Sequence, residues 1–155
     1  MRLYAYETRG QLNSGFQGYI EYRVYCAEEA DRLHISLCFD KREYLGERAP
    51  FLQSCLEALR ETVPDIKPTD QALDYLLTIP KTEVNLAVFF NDLCLGSAFR
   101  DSKEKNIALS AAASSPGFIP WRPQAGILRV VICALRILND NTEYILRVTG
   151  EKDDL

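Results

Sequence analysis

The chain has 155 residues, a formal net charge of -4, 47% hydrophobic and 26% charged residues, the size and balance of one folded domain rather than a disordered polypeptide. Its 18 basic residues are scattered among 22 acidic ones and its sequence pI is about 5.1, so it offers no basic patch to a phosphate backbone or an anionic bilayer surface, and neither nucleic acid nor membrane is an expected partner. The longest apolar runs, Val130 to Leu135 and Leu86 to Phe90, are too short to span a bilayer.

The opening segment, from Met1 to Glu7, lacks the apolar stretch of a leader and reads as a strand. Gly10 to Gly18 reads as a turn-rich connection. Ile20, Tyr22, Val24 and Cys26 then alternate with Tyr19, Glu21, Arg23 and Tyr25, and after a short polar link at 27–31 Leu33, Ile35, Leu37 and Phe39 alternate with His34, Ser36, Cys38 and Asp40. Two such period-two runs joined by a short link predict a hairpin.

The period changes at Pro50. Phe51, Leu52, Cys55, Leu56 and Leu59 fall at helical spacing up to Pro64, and Thr69 is placed to cap a second helix carrying Ala72, Leu73, Leu76 and Leu77, ended by Pro80. One stripe per helix predicts a two-helix insert at about 50–78 lying against the sheet.

Strands return with Val84, Leu86, Val88 and Phe90. Asn91-Asp92 is a two-residue turn that places Phe90 opposite Leu93, with Leu95 and Phe99 on the same buried face. A short strand follows at Ile107 to Ala111. Residues 110–126 hold Pro116, Pro120 and Pro123, two glycines and the single tryptophan, which predicts an irregular surface connection. Ile127 to Leu138 and Thr142 to Gly150 predict a second hairpin about Asp140-Asn141, with Val131, Cys133, Leu135 and Ile137 facing inward beside Tyr144, Leu146 and Val148.

The expected architecture is α+β: a single globular domain over 1–150, mostly antiparallel, with about seven or eight strands in a sandwich or strongly curved sheet, then a frayed acidic tail at 151–155. Five cysteines, Cys26, Cys38, Cys55, Cys94 and Cys133, are odd in number, lack a C-x-x-C spacing and lie in apolar segments. They imply unpaired structural thiols, a cytoplasmic protein, no metal and no other cofactor.

Catalytic signatures are missing. The one histidine, His34, lies on a polar strand face without a nucleophile elbow. Asp70 with Asp74, and Asp101 with Glu104, are the pairs expected by chance among so many acids, Asp140 to Glu143 lacks calcium-loop spacing, and Gly10 to Gly18 is not followed by a phosphate-binding helix. Two binding signals stand: Phe118, Trp121 and Arg122 in the proline-stiffened loop, residue types that dominate interface hot spots, and Tyr19 and Tyr25 on an outward strand face. The reading is a non-enzymatic interaction protein. A small-molecule binder or hydrolase with a pocket between the insert and the sheet is the alternative, and a homodimer through an exposed sheet edge is a third.

Overall fold

The computed structural model describes residues 1–153. Its elements are β1 (Arg2–Leu12), β2 (Gly18–Cys26), β3 (Arg32–Phe39), α1 (Arg48–Thr62), α2 (Asp70–Leu76), β4 (Glu83–Phe90), β5 (Leu93–Ala98), β6 (Glu104–Ser110), β7 (Gly126–Arg136) and β8 (Thr142–Glu151). The strands make two four-stranded antiparallel sheets, a first in the order β1-β8-β3-β6 and a second in the order β2-β7-β4-β5. This is the strand order of a jelly roll. The α+β class, the strand number and the two-helix insert are as expected, and of the two arrangements anticipated the chain adopts the sandwich. No helix among the described residues is long and apolar enough to cross a membrane.

Alternation along the central strands makes the core. Leu33, Ile35, Leu37 and Phe39 of β3, with Tyr144, Leu146 and Val148 of β8, are buried with Leu128, Val130 and Ile132 of β7 and Val84, Leu86 and Val88 of β4. Each residue on such an inner face loses nearly all its contact with water.

Two expected hairpins do not form. β2 and β3 lie in different sheets, as do β7 and β8. A strand with one apolar face can bury it against a facing sheet as well as beside a neighbour. A few extended residues, such as 27–31, easily cross the ~10 Å between stacked sheets.

The inner face of β7 is also one residue out of phase with expectation: Leu128, Val130, Ile132 and Ala134 point inward, and Val131, Cys133 and Leu135 belong to the outward series with Arg129. A bulge opposite Glu83/Val84 then resets the parity, which returns Ile137 to the core.

The Asn91-Asp92 hairpin forms as expected, with Asn91 at φ 49° and Phe90 paired to Leu93. Phe90 is buried, but Leu93 is 50% exposed. A bulge between Val88 and Phe89 breaks the alternation, so Leu95 and Ala98 fill the core and Phe99 stays outside.

β1 runs through Leu12 instead of breaking at Gly10, which stays in the ladder opposite Tyr144, whose ring fills the space a side chain there would need. The tail is not frayed at its start. Glu151 pairs in the sheet, Lys152 N–H donates to the Met1 carbonyl, and Asp153 pairs with Arg32. The rest of the expected tail, 154–155, lies outside the described residues.

The insert departs from expectation too. Thr69 caps α2, its hydroxyl accepting from Ala72 N–H at 3.3 Å. Yet neither helix buries a residue, and neither packs appreciably on a strand. The sheets already cover each other, so the apolar stripes at Phe51 to Leu59 and Ala72 to Leu77 half-bury one another and stop there. The insert is held at its root: Asn139 Nδ2 donates to the Glu43 carbonyl at 2.8 Å, its Oδ1 accepts from Leu45 N–H at 2.8 Å, and Tyr44 stacks on Phe51.

The sheet edges are treated unequally. The 110–126 segment seals two of them. Gly117 and Ile119 bond to β5 (Ser97 N–H to Gly117 carbonyl 3.1 Å, Ile119 N–H to Leu95 carbonyl 2.9 Å), and Ala113 and Ser115 bond to β6 at 2.9 Å each. The β5 contact requires glycine at Gly96 and Gly117, both at positive φ, because a side chain on either would collide with the facing backbone. β6 also carries an inward charge, Lys105, only 1% exposed, whose ammonium donates to the Ser102 carbonyl and sits 5.1 Å from the Phe39 ring centroid. An inward charge is a known way of blunting an edge strand.

Burial, reinforced by the nearby Arg42 guanidinium, pushes the Lys105 pKa from its ordinary 10.5 down to about 8. Between those values the folded chain holds fewer protons than the unfolded one, so this group makes stability rise with pH across that window. Relative to Lys105→Met, the wild type should gain up to about 3 kcal/mol between pH ~7 and pH ~10.5. Denaturant titrations of both chains at both pH values measure it; identical pH dependence would refute it.

Candidate functional site

The 110–126 segment runs as an irregular crossing from β6 to β7, as its prolines dictate, but its aromatic residues turn inward. Phe118 is only 9% exposed and belongs to the core. Trp121 is half-buried, its ring 4.8 Å from that of Phe90, and its backbone N–H donates to the Ser110 carbonyl at 2.9 Å. Arg122 alone of the three expected residues is fully at the surface, 3.6 Å from Glu29. Of the three expected residues, Phe118 is withdrawn into the core, whereas Trp121 stays partly accessible beside the exposed Arg122. The segment is a clasp whose two large rings close the β5–β6 side of the sandwich.

The other expected pair lies on the outer face of the second sheet. Tyr19 is 73% and Tyr25 58% exposed, as the alternation of β2 requires. β7 and β4 add Ile127, Val131, Ala87 and Phe89 to the same face, since Tyr25 pairs with Ile127, Glu21 with Val131 and Val131 with Ala87. In their midst Glu21 accepts from Arg129 at 2.9 and 3.1 Å and from Arg23 at 2.7 Å. These bonds, Arg23 first, hold the Glu21 carboxyl below its usual range. Arg129 also lies over Phe89, 5.1 Å from the ring centroid. The face thus presents two exposed tyrosines among apolar neighbours, and most of its charge is neutralised within it.

Ile127, Val131 and Phe89 were not among the residues that sequence reasoning singled out. The available signal was Arg129. A charge at that parity marks Ile127, Val131 and Cys133 as the outward series, whereas Leu128 to Ala134 at the other parity carries none.

The outer face of the first sheet is polar by comparison. It holds two shallow depressions, one of about 470 Å³ lined by Arg9, Gln11, Cys38, Asp40 and Glu143, another of about 210 Å³ beside His34, Ser36, Asn106, Ser115 and Arg147. His34 Nε2 is 3.6 Å from Glu151, and among the described residues no hydrogen bond joins it to a hydroxyl or thiol, so no nucleophile–base pair is assembled there. Of the acids weighed for catalysis, Asp74 pairs with Arg48, and Asp101 with Arg42 and Lys81, Arg42 holding the Asp101 carboxyl below its usual range. A hollow of about 340 Å³ lies at the root of the insert, but Lys41, Tyr44, Leu45, Asn139 and Asp140 line it and neither helix does. All five cysteines are unpaired. Cys26 and Cys133 are buried, and Cys94 is exposed.

The profile of a family of unknown function (DUF6669) matches residues 2–154, and the chain belongs to that family. No curated protein and no solved structure matches it.

The clasp makes a stability prediction. Trp121→Ala should cost about 2 kcal/mol, less than the 3–5 of a fully buried large aromatic because the ring is only half covered. A thermal melt measures it; an unchanged melt would mean that the ring is not part of the plug.

Proposed function

We propose that this protein is a non-enzymatic interaction module of the cytoplasm, and that it docks a protein partner on the outer face of its second sheet. The observation that carries the reading is the gathering of Tyr19, Tyr25, Phe89, Ile127 and Val131 on one sheet face around a closed Glu21–Arg129 pair. Tyrosine gives contact area for little lost side-chain freedom. Because Glu21 is already paired, a partner covering the face strands no lone carboxylate, which is what makes burial of charge costly. Five free thiols, one of them exposed, support a reducing compartment.

The test compares native co-purification from the source cells using the wild type, Ile127→Asp, and Asn106→Asp on the opposite face as a control. Ile127→Asp should reduce recovery of the partner about tenfold or more while altering stability by no more than about 0.5 kcal/mol, as for other surface changes. Equal recovery with both variants would remove the second sheet as the docking surface.

A further inference from the structure

We infer that the partner surface includes a second copy of this chain, paired antiparallel through β2 so that the two second sheets become one. The argument starts from the edges. β5 and β6 are sealed by the 110–126 segment, β6 also by Lys105, which leaves the edges at β1, irregular only at its start between Arg2 and Tyr4, and at β2. β2 has none of these devices. It stands at the edge of its sheet and pairs with β7 over its whole length, Gly18 to Cys26, without a bulge and without proline. A regular edge of this kind, covered by no chain segment among the described residues, is a template for another strand.

The ladder settles which backbone groups are free. Asn91 N–H donates to the Ile127 carbonyl at 3.2 Å, so the odd residues of β7 bond toward β4 and the even ones toward β2. Through the β2–β7 register, Gly18, Ile20, Tyr22 and Val24 therefore bond to β7, while Tyr19, Glu21, Arg23 and Tyr25 aim their N–H and C=O groups outward from the sheet. Among the described residues, no backbone group of Tyr19, Glu21 or Arg23 finds a partner on that side. The Tyr25 carbonyl accepts the Tyr6 hydroxyl at 2.5 Å, which confirms its direction and leaves it a second lone pair.

The side chains of these same four residues read Tyr-x-Glu-x-Arg-x-Tyr. A two-fold axis at Tyr22 places Glu21 opposite Arg23 of the second copy and Tyr19 opposite its Tyr25. Every outward pair is then either opposite in charge or aromatic on aromatic, the combinations that stabilise cross-strand neighbours. The same register makes these four the hydrogen-bonded pairs of the new ladder, so backbone and side chains agree on one alignment. A slip of two residues in either direction loses the charge pairing. The product is a continuous sheet with four strands from each copy, closed by an isologous contact. Arg23, which among the described residues forms an ion pair only with Glu21 of its own chain, is 72% exposed at its side chain and can reorient toward the second copy.

This inference rests in part on the proposed docking face, since Tyr19 and Tyr25 serve both, but it is tested separately. Sedimentation equilibrium of the purified full chain at up to about 100 µM, a range in which a modest interface assembles, should show a monomer–dimer equilibrium. Arg23→Pro should give a folded monomer, because its N–H faces away from β7 and an edge strand tolerates proline there. Arg23→Glu and Glu21→Lys should each weaken self-association about tenfold or more by placing like charges opposite one another. Mixed in equal amounts, the two variants should form a heterodimer, because each then faces its opposite. A wild type that stays monomeric, a dimer indifferent to Arg23→Pro, or variants that fail to pair on mixing would each overturn the proposal. A monomer that still loses its partner with Ile127→Asp would overturn the dimer alone, and a β2-dependent dimer whose partner ignores Ile127→Asp would overturn only the docking face.

Discussion

The dry contact between β3–β8 of one sheet and β4–β7 of the other is the interaction on which the remaining features depend. Leu33, Leu37, Val84, Leu86, Val88, Leu128, Val130 and Ile132 have no measurable exposure, and burial of that kind is the dominant favourable term in folding. Once the two inner faces cover each other, neither needs anything else. The helices are left to half-bury their stripes in one another, and the insert hangs from its root at Asn139 instead of roofing the sheet.

The same contact explains the clasp. A two-layer sandwich is open along both sides, where its edge strands run. Phe118 and Trp121 fold inward against the core and Phe90, and the backbone on either side of Phe118 bonds to β5 and β6. The proline-rich composition that suggested a displayed loop serves a covering segment equally well: proline withholds donors, and Gly96 and Gly117 let the two backbones meet. The opposite side, with β1 and β2, receives no such cover. There the chain places Glu-x-Arg twice, as Glu7 and Arg9 on β1 and Glu21 and Arg23 on β2, each glutamate held by an arginine of the next strand, Arg147 and Arg129. Only on β2 do tyrosines flank the pair, so the two open edges present different chemistry.

Much of the local structure was legible in the sequence. Period-two alternation located β2, β3, β4 and β8 and their inner residues, Pro50 and Pro64 bracketed the first helix, Thr69 capped the second, and Asn91-Asp92 marked the hairpin of β4 and β5. Tyr19 and Tyr25 were recognisable as outward for the same reason. Each of these follows from steric and hydrogen-bonding rules acting within a few residues.

Alternation states that a strand has an apolar face; it does not state what covers it. Whether β2 lies beside β3 or across from it, whether β7 pairs with β8 or faces it, and whether the 110–126 aromatics point out or in are decided by contacts between residues far apart in the chain. The phase of β7 shows the limit most clearly. Both parities from Ile127 to Leu135 are largely apolar and Arg129 alone separates them, so local pattern discriminates weakly, and the facing sheet and the bulge at Glu83/Val84 make the difference. The sequence by itself therefore determined the elements, their class and the residues exposed on β2. The tertiary structure alone decided the jelly-roll order, the inward turn of Phe118 and Trp121, and which edge stays open, because those depend on which apolar surfaces meet once the chain has closed on itself.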